Sequence, residues 1–218
     1  MFYPPSEAIR SGSRPFERAL LLVAFLAFGY VSWMKLDRLA YQRTASERLA
    51  AASSGAVSAD SPSRGRKPSA SEPIGRLTIP TAQIEAIVAE GVDDPTLDRA
   101  VGHIPNTALP GEPGNVALAG HRDTFFRGLA NLKLADPIQL VTPNGTYDYL
   151  VEDLRIVEPT ETDVLAPGSS PTLTLVTCYP FHYIGAAPQR YIVRAREVRR
   201  PTAVRPAQPA QNVGIDRL

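Results

Sequence analysis

The chain has 218 residues, 44% hydrophobic and 21% charged, with a net charge of +1. That length suits one ordinary domain with appendages, and the balanced charge excludes the basic surface of a nucleic-acid-binding protein. Its 21 prolines and 15 glycines argue against long helices over most of the chain, and a single cysteine excludes both an intramolecular disulfide and a cysteine-rich zinc site.

Residues 1–18 are polar and mixed, with Arg10, Arg14 and Arg18. Ala19 to Met34 (ALLLVAFLAFGYVSWM) then runs sixteen residues without a charge. A membrane span usually takes about 17–25 residues. Arg18 and Lys35 extend this one by snorkelling, and Tyr30 and Trp33 suit an interface. Signal anchor, cleaved signal peptide and buried core helix compete as readings. No small-x-small cleavage site follows the run, and a core helix here has nothing to pack on, so the anchor is preferred. Lys35, Arg38, Arg43 and Arg48 follow the run closely, so flanking charge does not set its orientation. Leu36 to Ala52 is rich in alanine, leucine and charge, and continues the helix. Ser53 to Pro73 is a Ser-, Ala- and Pro-rich stretch that cannot bury a core, and the tail from Pro201 has a similar bias.

The expected divisions are an N-terminal segment (1–18), an anchor (19–34), a juxtamembrane helix and flexible linker (35–73), a folded domain (74–200) and a disordered tail (201–218). Within the domain, strands are expected at Ile74–Ile79, Ile84–Glu90, Asn115–His121, Ile138–Thr142, Thr146–Val157, Thr172–Cys178 and Gln189–Val198. Asn144-Gly145 is a hairpin signal between two of them. Pro95–Val101 reads as a short helix with Asp94 as its N-cap, and Thr124–Lys133 as a second helical turn. So many short strands in so short a domain imply a closed all-β barrel or a sandwich.

The last two strands (TLTLVTCYPFHYIGAAPQRYIVR) form a hairpin with a long loop containing Pro180, Gly185 and Pro188. Its mouth brings Cys178, which ends one strand, close to Arg190, which begins the next. A lone thiol is as often an inert filler as a nucleophile, and it needs a base to react. Of three histidines, His121 also ends a strand. Period-2 alternation puts Leu173 and Leu175 on one face and Cys178 on the other. Likewise Tyr191, Val193 and Ala195 oppose Arg190, and Val116 and Leu118 oppose His121. All three candidates therefore lie off the core face and line one groove outside the sheet. Thr177 and Tyr179, which flank the cysteine, and His182 in the following loop are candidate substrate contacts. His103 reads as a turn hydrogen bond. Glu152, Asp153, Glu158, Glu161 and Asp163 match no defined calcium loop, so no cofactor is expected.

The phrase TLVTC (Thr174–Cys178), Arg190 twelve residues on, the opening GRLTIP (Gly75–Pro80) and the Gly-Asn-x-x-x-x-Gly-His segment (Gly114–His121) together resemble the sortase family, and most nearly class D-like sortases. The resemblance implies an eight-stranded β-barrel and a membrane-anchored cysteine transpeptidase. Its domain is expected outside the cytoplasmic membrane, residues 1–18 in the cytoplasm and residues 19–34 in lipid. The implied substrates are proteins with a C-terminal Leu-Pro-x-Thr-Gly/Ala-type sorting signal, whose acyl fragment passes to an amine acceptor on the cell envelope or on another protein. Carried over by position, Cys178 is the nucleophile, His121 the acid/base and Arg190 the stabiliser of substrate and oxyanion. The same resemblance admits calcium in the region of the acidic residues. Ile104–Ala108 (IPNTA) looks like a sorting signal itself, but a loop of Pro, Asn and Thr is the simpler account. Two other functions compete: a Cys-His hydrolase releasing acyl groups to water, and a non-catalytic tethered β-barrel binding module with a structural cysteine. The off-core placement of the three residues argues against the last.

Overall fold

A computed structural model describes residues 13–54, 67–168, 170–183 and 185–199. The described residues fall into two compact units, divided between Tyr41 and Gln42. The first lies in α1 (Ser13–Ser53), which has a stretch long and apolar enough to cross a membrane. Its large side chains are exposed, with Leu21, Phe25 and Phe28 among them. An apolar surface of this kind is unstable in water and calls for lipid or another apolar cover. The anticipated continuation of the helix past Met34 is present.

The second unit holds a closed barrel of eight strands: β1 (Pro73–Ile79), β2 (Ile84–Glu90), β3 (Val101–His103), β4 (Asn115–Ala119), β5 (Pro137–Thr142), β6 (Gly145–Val157), β7 (Thr172–Tyr179) and β8 (Gln189–Arg199). Their order around the barrel is β1-β2-β3-β4-β7-β8-β6-β5. Pairs β2–β3 and β4–β7 are parallel, and the rest are antiparallel. The core is what the alternation requires. Leu77, Ile79, Val116, Leu118, Leu140, Tyr149, Leu173, Leu175 and Val193 point inward and are buried. Each such side chain contributes about 1.5–3 kcal/mol on leaving water. Two register shifts against β8 bend the thirteen-residue β6, as closing a sheet into a barrel requires.

The Asn144-Gly145 hairpin joins β5 to β6, with Thr142 opposite Gly145. The Thr142 hydroxyl accepts from Asn144 N and donates to Gly145 O. A strand absent from the reading of the sequence is β3, which has only three residues and so no alternation to detect. The short helix α2 spans Asp94–Arg99, and its N-cap is Asp93, not Asp94. The Asp93 carboxylate accepts from the Thr96 amide and hydroxyl, which hold its pKa below the ordinary carboxylate value. Asp94 instead lies in the first turn, followed by Pro95. The second helical turn is a 3-10 segment, Arg127–Asn131.

Gly102 allows α2 to sit tight on β3. A Cβ there would lie 2.3 Å from the Gly91 carbonyl oxygen and 2.8 Å from the Leu97 side chain. The IPNTA stretch is a turn of the barrel wall: Asn106 takes a left-handed backbone, and the Thr107 hydroxyl donates to Ile104 O. Residues 42–53 of α1 pack within the same compact unit as the barrel. Ala45 and Leu49 are buried there, and the Gln42 side chain bonds to Ile87 N and Arg99 O.

Candidate active site on the outer face of three strands

Strand register assembles the candidate site. In the β7–β8 pair, Cys178 lies directly opposite Arg190 and Tyr179 opposite Gln189. In the parallel β4–β7 pair, Asn115 lies opposite Thr172 and Ala119 opposite Val176. The Gly120 amide donates to Val176 O at 3.2 Å, and the Thr177 hydroxyl donates to Gly120 O at 2.7 Å. Continuing that register two residues past Ala119 brings His121 level with Cys178. Cys178 and Arg190 thus face each other on β7 and β8, and His121 follows two residues after the end of the adjacent β4.

The face that Cys178 and Arg190 share is the outer one. Leu173, Leu175, Val193 and Ala195 fill the barrel, whereas Val176 and Ile192 join Val157, Val164 and Leu165 in a separate apolar cluster outside it. Alternation places Cys178 on the side of Val176, and Arg190 on the side of Ile192. Cys178 is half-buried. The outer cluster lies one residue-pair along from it, so an apolar surface borders the thiol.

Asn115 fastens the wall of that surface. Its side-chain oxygen accepts from the hydroxyls of Thr174 at 2.8 Å and Thr172 at 3.2 Å. Its amide nitrogen donates to Val164 O at 3.1 Å, across the β6–β7 connection. All four residues are buried, so this network is satisfied without water.

The strand expected to run to His121 ends at Ala119, and His121 instead leads into a turn. Its carbonyl accepts from Phe126 N at 3.1 Å, and Gly120 lets the Phe126 ring come close, since a Cβ there would lie 2.9 Å from it. The imidazole Nε2 is 3.8 Å from Asp98 Oδ1, with His121 at 38% and Asp98 at 49% side-chain exposure. Next along the chain, Arg122 donates from Nη2 to Tyr183 O and Gly185 O, at 2.8 and 3.0 Å, tying the His121 turn to the β7–β8 loop. Arg190 donates from Nη1 to Ala187 O and Gln189 O.

The remaining candidates take separate places. Thr177 is buried, with its hydroxyl committed to Gly120 O. Tyr179 is half-buried and packs with Phe181 and Tyr191. Burial, then the neighbouring Tyr179, raises the Tyr191 pKa above the ordinary tyrosine value. His182 is exposed on the loop. His103 is buried at the end of β3 between Glu90 Oε2 at 2.6 Å and Ala108 O at 3.0 Å. Glu152 meets Arg194, Asp153 meets Arg155, and Glu158 accepts from Gln189. Among the described residues no group of three or more acidic, His or Cys side chains gathers to hold a metal ion.

A model of the sortase domain matches residues 77–198, more than half of the chain and nearly all of the barrel. The chain belongs to the sortase family. It is a cysteine transpeptidase by that membership, with the mixed eight-stranded barrel expected of sortases. The match to sortase D of Bacillus subtilis (strain 168) is 36% identical over 61% of this chain and 67% of that protein. Sortase A of Listeria monocytogenes matches at 27% over 48% of this chain, which spans about half the length of that relative. Among solved structures, a Clostridium perfringens sortase D5 transpeptidase superposes with a TM-score of 0.56 at 31% identity, over 61% of this chain and 82% of that one. A point mutant of sortase E from Streptomyces avermitilis superposes with a TM-score of 0.55 at 27% identity, over 65% and 97%.

Two residues beside the site of this sortase were given no role from the sequence, although Asn115 stands in the Gly-Asn-x-x-x-x-Gly-His segment. Asn115 carried a signal in retrospect: a polar residue heads an apolar strand, and Thr172 and Thr174 alternate on its partner. Asp98 carried none, because its approach to His121 depends on how α2 packs.

Proposed function

We propose that this sortase cleaves a Leu-Pro-x-Thr-Gly/Ala-type sorting signal and transfers the acyl fragment to an amine. Cys178, His121 and Arg190 perform the reaction. In the first half, the Cys178 thiolate attacks the threonine carbonyl carbon. The carbon–nitrogen bond breaks, and His121 gives a proton to the departing amine. The acyl group remains as a thioester on Sγ. In the second half an incoming amine attacks the thioester, His121 takes its proton, and the thiolate leaves. Arg190 stays charged throughout and donates to the oxygen that becomes negative in each tetrahedral intermediate. Beyond its two bonds to loop carbonyls, its guanidinium retains donors for that task. The apolar cluster of Val164, Val176 and Ile192 suits the leucine and proline of the signal.

The observation that supports this reading is the pairing of Cys178 with Arg190 across β7 and β8, beside β4, whose chain reaches His121 two residues after Ala119. Intact-mass measurement of the purified chain, incubated with a panel of sorting-signal peptides and then an amine, tests it. A thioester adduct on Cys178 that converts to an amide product supports the proposal. Adduct that only hydrolyses, whatever amine is supplied, would turn it towards the Cys-His hydrolase.

The same reading makes the chain a single-pass membrane protein. The apolar stretch of α1 lies in the cytoplasmic membrane, with the barrel outside, where proteins bearing sorting signals and envelope amines meet it. Protease added to intact spheroplasts should digest the barrel. Protection until the cells are lysed would reverse the orientation.

A further inference from the structure

We propose that Asp98 is a positioning residue for His121, and that residues 42–53 of α1 hold in place the helix that carries it. The inference rests on the reading of His121 as the acid/base. The contact itself is Asp98 Oδ1 to His121 Nε2, at 3.8 Å. A carboxylate there favours one ring orientation and leaves the other nitrogen, Nδ1, to exchange protons in the site.

Asp98 sits one residue from the end of α2, a helix of six residues, too short to hold its own shape. It is fixed from outside at both ends. At its start, Asp93 caps Thr96, and the Thr96 hydroxyl meets that of Ser71 at 2.8 Å. At its end, the Gln42 side-chain nitrogen donates to Arg99 O at 2.7 Å, while the same amide's oxygen accepts from Ile87 N at 2.9 Å. The β2–β3 pairing begins only at Val88 and Val101. The Gln42 amide therefore bridges the strand and the helix end just where the ladder has stopped. Ala45 and Leu49, three and seven residues further along α1, are buried on the same helical face. A continuous line of bonded or packed groups runs from α1 through Gln42, the Arg99 carbonyl and Asp98 to the imidazole. Placement of the base thus depends on a segment outside the barrel's own strands.

The test uses the full chain in detergent, with kcat and KM for peptide-to-amine transfer, acyl-enzyme yield and thermal midpoint measured together. Asp98→Asn should lower kcat about fivefold, the upper range for a half-exposed ion pair, with KM and the midpoint unchanged. Asp98→Glu should restore most of the loss. Gln42→Ala should lower kcat in the same direction. The double variant should be no slower than Asp98→Asn alone, because both act along one line. If Gln42→Ala disturbs folding, Gln42→Glu keeps the acceptor for Ile87 while removing the donor to Arg99, and should give the same kinetic result. Full turnover in Asp98→Asn overturns the inference and leaves the proposed function standing. Fully additive losses in the double variant overturn the part played by α1. A parent chain that never acylates on Cys178 overturns the proposed function and this inference with it.

Discussion

The two sides of the candidate active site are held by different means. On the Cys178–Arg190 side, every position follows from backbone ladders: β4, β7 and β8 pair residue by residue, and the side chains inherit their places. On the Asp98 side, a six-residue helix is fastened by single side-chain bonds from Asp93, Ser71 and Gln42. Ladders distribute a perturbation over many bonds, whereas a lone amide concentrates it. The ladder side should therefore tolerate substitutions around its reactive groups but not of them. The tethered side should respond in small, graded steps.

The largest effect that would break this comparison lies on the ladder side. His121→Ala should abolish both acyl-enzyme formation and transfer, while His182→Ala, on the exposed loop, should acylate fully and alter peptide preference modestly. Intact mass of the two folded variants decides between them. Normal acylation in His121→Ala together with none in His182→Ala would move the base to the loop. Next in size is Arg190→Lys, which keeps charge but loses the planar fork of donors. Its kcat should fall about a hundredfold, as for loss of an oxyanion donor. Near-parental turnover would place that role elsewhere.

Asn115→Ala should have an intermediate effect and sharpen the comparison. It strips partners from two buried hydroxyls and from the Val164 carbonyl. Denaturant titration should show a loss of about 2–3 kcal/mol. KM for peptide should rise more than kcat falls, since the loosened β6–β7 connection borders the apolar cluster and not the thiol. The smallest effect belongs to Asp93. Its pKa is lowered in the folded state, so its contribution to stability is present above the ordinary carboxylate range. That contribution is lost as pH falls through the folded value. Asp93→Asn keeps an N-cap but removes the titration. Thermal midpoints of parent and variant should therefore converge as the pH is lowered through the acid range.

The ladder side was also the legible one. Alternation in β4, β7 and β8 assigned the core face correctly, because one buried face forces a period of two. It also put Cys178 opposite the core face of β7 and Arg190 opposite that of β8, but the strand expected to run to His121 ends at Ala119. The tethered side was not legible. Three residues of β3 carry no period, and the cap fell on Asp93, one residue before the aspartate next to Pro95. Gln42 reads as one more polar residue of a helix, because only packing brings its amide to Ile87 and Arg99. Asp98 is hidden for the same reason.

The parallel pairing of β4 with β7 has a consequence for the order of events in folding. The Thr177–Gly120 bond closes a separation of 57 residues, and a parallel pair cannot be made by a tight turn. Contacts so distant along the chain come with a loop-closure entropy that local hairpins such as β5–β6 escape, so they belong to the slow part of folding. Cys178 and Arg190 meet within one hairpin, whereas the proposed pairing of Cys178 with His121 waits on closure of the long-range pair. On the proposed function, a nascent or partly folded chain therefore lacks the assembled site, and transfer activity should arrive only with completion of the barrel.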